Sequence, residues 1–73
     1  MDVIDRIRRM TKYLNQQGIE IRYEDLNGAP SGLCRINGKQ LLMIEMTLSS
    51  GEQLRLLEES AATVKPTTAR SVA

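Results

Sequence analysis

Apolar residues recur near the start of the chain at Val3, Ile7, Met10 and Leu14, spaced four, three and four apart, with Ile4 beside them. That is the period of one helical face. Arg6, Arg9, Lys12 and Gln16 fall largely on other faces. Asp2 suits the N-cap, and Asp5 places negative charge in the first turn, where the helix dipole favours it. Gly18 can take the left-handed conformation just past the end of the helix, with Ile19 folding back onto Leu14. The pattern then changes to a period of two. In IEIRYE, Ile19, Ile21 and Tyr23 point one way and Glu20, Arg22 and Glu24 the other, as in a strand with one buried face. DLNGAPSG is dense in turn formers and reads as a loop.

GLCRINGKQLLMIEM places Asn37 and Gly38 between two apolar runs, the signature of a two-residue hairpin turn whose central residues both need positive φ. That turn sets the register: Ile36 opposite Lys39, Cys34 opposite Leu41, Leu33 opposite Leu42. One face then carries Leu33, Leu42, Ile44 and Met46, with Arg35 and Gln40 near the hairpin tip. The other carries Cys34, Ile36, Leu41 and Met43, with Lys39 and Glu45 at its margins. Both faces are substantially apolar. The unbroken run Leu42, Ile44, Met46 assigns the first to the helices.

SSGEQLRLLEESAA signals a second helix. Ser49 with Glu52, or Ser50 with Gln53, forms a capping box. Leu54, Leu57, Ala61 and Val64 make its buried stripe, while Glu52, Arg55, Glu58 and Glu59 make a solvated face. Pro66 is expected to end it, and residues 65–73 read as a disordered tail. The expected fold is α+β: a two-layer α-β-β-β-α domain over residues 1–64, with a small three-stranded antiparallel sheet and two helices on one face. Two helices cannot also cover the other face.

Composition narrows what this fold can do. The chain has 73 residues, and a domain of this size has a small core that usually needs a disulfide, a metal or an oligomer in support. Cys34 is the only cysteine, so no intramolecular disulfide can form, and there is no histidine. One thiol with scattered carboxylates is a poor zinc set. Neither a metal site nor a cofactor is inferred, and self-association is the support left open. The net charge of +1, with both signs interspersed, gives no broad attraction to nucleic acid or anionic lipid. No apolar run approaches the ~18 residues of a membrane span. MDVIDRIRRM lacks the apolar stretch of a signal peptide, and a lone thiol suits a reducing compartment, so a cytoplasmic protein is expected.

Candidate chemistry is sparse. Without histidine there is no Ser-His or Cys-His dyad. Glu24 and Asp25, like Glu58 and Glu59, are sequence neighbours and do not converge as an acid–base pair must. Cys34 reads as a small apolar residue, since Arg35 beside it points to the opposite face. LNGAPSG lacks both the Lys-Ser/Thr pair of a P-loop and a following helix. No catalytic residue or small-molecule substrate is inferred.

The order helix, GIEIRYEDL, loop, GLCRINGKQLLMIEM, TLSSGEQLRLLEESAA resembles the front part of ImmA/IrrE-type metallopeptidase domains over residues 15–62, in strand order and spacing. In that family a small sheet runs into a helix bearing H-E-x-x-H, whose histidines bind zinc and whose glutamate is the general base. Laid on that pattern, Glu58 and Ala62 stand where the histidines would be and Glu59 where the glutamate is. The resemblance therefore implies a relative without zinc and without peptidase activity.

Two surfaces remain. The apolar set Cys34, Ile36, Leu41 and Met43 is a candidate partner-binding face, with a second copy of the chain or another protein as its occupant. The basic set Arg6, Arg8, Arg9 and Lys12 in DRIRRMTK is the alternative, a nucleic-acid contact, diluted by Asp2 and Asp5 in the same turns.

Overall fold

A computed structural model describes residues 2–64. The expected end of the second helix at Pro66 and the expected tail at 65–73 lie outside the described residues. Helix α1 spans Val3–Gln16, strands β1, β2 and β3 span Ile19–Glu24, Gly32–Ile36 and Lys39–Glu45, and helix α2 spans Ser50–Thr63.

Both helices begin and end on the local chemistry of their sequences. The Asp2 carboxylate accepts the Ile4 N–H at 3.4 Å. Gly18 stands at φ 85°, and its N–H donates to the Asn15 carbonyl at 3.0 Å, one of the two bonds of a Schellman ending. At α2 the capping box is Ser49 with Glu52: the Glu52 N–H donates to Ser49 Oγ at 3.3 Å and the Ser49 N–H to Glu52 Oε1 at 3.4 Å. Gln53 is engaged elsewhere, its Nε2 donating to the Leu48 carbonyl.

The α+β class holds, but the sheet is mixed rather than antiparallel. Its order is β1-β3-β2. The hairpin register is the expected one, with Leu33 opposite Leu42, Cys34 opposite Leu41 and Ile36 opposite Lys39. β1, however, runs parallel to β3, with Ile21 beside Leu42 and Tyr23 beside Ile44. Alternation along β1 fixes which side chains face the core, but not which edge the strand joins or in which direction. A tight turn makes β2 and β3 antiparallel neighbours, leaving one edge of β3 open. β1 takes that edge, which places β3, apolar on both faces, in the centre. The loop of residues 25–31 must then cross the end of β3 to reach β2, so loop and β2 together form the crossover that a parallel pair requires.

Leu14, Ile19, Leu42, Ile44 and Leu57 form the fully buried core, with Ile7, Met10, Tyr13, Ile21, Leu33, Leu48, Leu56, Ala61 and Val64 packed around it. Burying a side chain of this kind stabilises by roughly 1.5–3 kcal/mol. The α1 stripe is buried unevenly: Leu14 completely, Ile7 and Met10 in part, while Val3 and Ile4 are exposed. The apolar run expected from Leu42 to Met46 is shorter than read. β3 ends at Glu45, and Met46 is 56% exposed in the turn that follows. Both helices lie on the Leu42–Ile44 face, and among the described residues no helix lies over the opposite face.

Candidate functional site

The uncovered face is built from alternate residues of all three strands. β3 supplies Leu41 and Met43, and β2 supplies Cys34 and Ile36. β1 supplies Glu20, Arg22 and Glu24. The register sets Leu41 between Glu20 and Cys34, and Met43 between Arg22 and Gly32. The face is therefore divided: apolar over β2 and β3, ionic over β1.

The ionic half is internally paired. Arg22 Nε donates to Glu20 Oε2 at 2.8 Å, and its Nη1 lies 3.7 Å from Glu24 Oε2. Lys39 Nζ, at the start of β3, stands 3.8 Å from Glu20 Oε1 on β1. The Arg22 hydrogen bond and charge, with Lys39 behind them, hold the Glu20 carboxyl below its usual range. These are surface pairs of the kind that contribute little to stability. Their effect is positional, since the stems of long charged side chains cover neighbouring apolar surface. Glu20, Arg22, Ile36, Asn37, Lys39 and Leu41 together line a shallow depression on this face.

The candidate partner-binding residues are brought together, but not equally exposed. Leu41 is only 5% exposed, already enclosed by its neighbours on either side. Cys34 and Met43 are half-buried, and Ile36 is 51% exposed. The accessible apolar surface therefore lies toward the β2 edge, with Leu41 as its floor.

The basic set does not form one patch. Arg6 is ion-paired with Glu58 of α2, and Arg6 and Arg9 line the seam between the helices with Met10 and Glu58. Arg8 and Lys12 lie on a different flank with Ile7, Thr11, Asn15 and Gln16. Arg8 also stands 4.0 Å from Asp5 one turn away. Of the residues aligned with the metallopeptidase pattern, Glu58 holds Arg6, and Glu59 lines a separate concavity beside β2.

The loop read as a plain connection has an organiser that sequence reasoning missed. Glu45, at the end of β3, clasps both the crossing loop and the turn into α2. Its Oε1 accepts the Leu26 N–H at 2.9 Å. Its Oε2 accepts the Thr47 N–H at 3.2 Å and the Thr47 hydroxyl at 3.0 Å. The Glu45 N–H donates to Ser31 Oγ at 3.0 Å, and the Met46 N–H donates to the Glu24 carbonyl. Bonds from Leu26 and then Thr47 hold the carboxyl below its usual range. A second Asn-Gly pair completes the loop, with Asn27 at φ 54° and Gly28 at φ 88°, closed by the Ala29 N–H donating to the Leu26 carbonyl at 2.9 Å. The sequence signal was present in that second Asn-Gly, but Glu45 gains its meaning only once β1 lies beside β3.

Among the described residues, no group of three or more His, Cys, Asp and Glu side chains is placed to hold a metal ion, and no helix is long and apolar enough to cross a membrane. Compared with family models, with curated proteins and with solved structures, the chain has no match.

Proposed function

We propose that this chain is a small non-enzymatic interaction module, and that it meets its partner through the uncovered sheet face at Cys34, Ile36, Leu41 and Met43, a second copy of itself being the first candidate. One observation carries this reading: two helices cover one side of a sheet whose central strand is apolar on both sides. Ile36 and part of Met43 and Cys34 are left to solvent beside a row of paired charges. An apolar centre with a polar rim is the ordinary anatomy of a protein–protein contact. The catalytic alternatives lack parts: the chain has no histidine, and of the carboxylates that could act Glu24 and Glu58 are engaged in ion pairs and Asp25 and Glu45 in loop closure.

Backbone amide NMR spectra recorded along a dilution series test this. The expected result is a set of concentration-dependent shifts confined to β2, β3 and the hairpin tip. Shifts that are absent would remove a second copy as the partner, and shifts that map to Arg8 and Lys12, only when an oligonucleotide is added, would overturn the reading.

A further inference from the structure

The uncovered face ends at β2, an edge strand, and the geometry of that edge is self-complementary. Because Ile36 and Lys39 close a two-residue turn, Ile36, Cys34 and Gly32 direct their backbone groups at β3. Leu33 and Arg35 therefore direct theirs outward. From the proposed function, and resting on it, we infer that β2 pairs antiparallel with β2 of a second copy about a two-fold axis at Cys34, joining two sheets of three strands into one of six.

Three features of the edge agree with that single register. First, Leu33 exchanges both backbone hydrogen bonds with Arg35 of the other copy, and Arg35 with Leu33, so the outward groups are matched. Second, Gly32 falls opposite Ile36 of the other copy. Gly32 has no side chain, and an atom added at its Cβ position meets nothing within 4 Å, leaving a notch beside Met43 on the uncovered face. Ile36, 51% exposed, is the projection that fills it and reaches Met43. Third, on the helix side, Arg35 of one copy lies across from Leu33 of the other. Leu33, Leu56, Glu59 and Ser60 there line a concavity between β2 and α2. Among the described residues neither the Arg35 guanidinium nor the Glu59 carboxylate has an ion-pair partner. The pairing brings them together twice, once on each side of the axis.

Projection, notch, cation and carboxylate all sit on the same short edge in symmetric positions, which favours a second copy over a foreign strand: an isologous contact repeats every match. It also buries an unpaired edge that would otherwise be open to aggregation.

Charge exchange tests the register. Arg35→Glu and Glu59→Arg, both at surface positions, are each expected to weaken the dimer at least tenfold in sedimentation equilibrium, and the double variant to restore most of the loss. In amide exchange, Leu33 and Arg35 N–H groups are expected to gain protection as concentration rises. Under diamide, which takes two electrons and two protons from two thiols, Cys34 is expected to form a disulfide-linked dimer faster than denatured chain at the same concentration. Antiparallel residues facing at a site without hydrogen bonds lie about 4.5 Å apart at Cα, within the span a disulfide bridges. A dimer that ignores both charge reversals, with Leu33 and Arg35 unprotected, overturns this register while leaving an interaction through the face intact. Protection that is independent of concentration shows the edge covered from within one chain and overturns it too. A monomer throughout overturns the inference and removes a second copy as the occupant of the face.

Discussion

The two faces of β3 differ by one residue in sequence and by nearly everything in circumstance. Leu42 and Ile44 are fully buried beneath two helices. Leu41 and Met43, beside and between them, look onto a surface that, among the described residues, only side chains cover. Leu41 nevertheless reaches 5% exposure, because Glu20 on one flank and Cys34 on the other close over it. Met43 does not, because its flank on β2 is Gly32. Burial on the helix side is thus a property of layers. On the open side it is decided residue by residue, by what the flanking strands place next door.

That contrast orders the expected effects of substitution. Leu42→Ala removes packing from the dense side and is expected to cost about 2–5 kcal/mol, read as a shift in the urea midpoint; a loss no larger than that of a surface change would break the contrast. Glu45→Gln is expected to come next. It weakens the clasp that carries the crossing loop over β3, lowering the thermal midpoint and loosening amide protection at Leu26 and Thr47. The pH dependence has a definite sign. Folding lowers the Glu45 pKa, so its contribution is complete above the ordinary glutamate value and is lost as pH falls through the lower folded-state value. Acid titration of stability should therefore be shallower in Glu45→Gln than in the parent chain. Glu20, lowered by Arg22 and Lys39, contributes with the same sign. Arg6→Ala at the seam between the helices is expected to cost ~0–1 kcal/mol, as an exposed pair should. Ile36→Thr, at a half-exposed position outside the core, is expected to leave monomer stability within about 0.5 kcal/mol while reducing association.

The sequence announced much of this and concealed one part. The helix caps, the hairpin turn and the side on which Leu42 and Ile44 lie are all set by neighbours a few residues apart. Propensity and period report such local relations. The direction of β1 is set by a contact between residues about twenty positions apart, and its alternation reads the same whether it pairs with β2 or β3, parallel or antiparallel. Glu45 was placed correctly at the margin of the open face, but its role depended on that strand order. The partner-binding set was likewise read only as a shared face, because pattern assigns a face and not an exposure. Leu41 proved to be the floor and Ile36 the projection.

The proposed contact sets Met43 against a second copy of the chain, whereas Leu42, one residue away, is buried within its own. Light scattering on the parent chain and on Met43→Lys, each across a dilution series with folding checked by circular dichroism, tests this directly. The expected result is a parent dimer that dissociates on dilution and a folded, monomeric Met43→Lys. A parent that is monomeric at every concentration, or a Met43→Lys variant that remains dimeric, would contradict it.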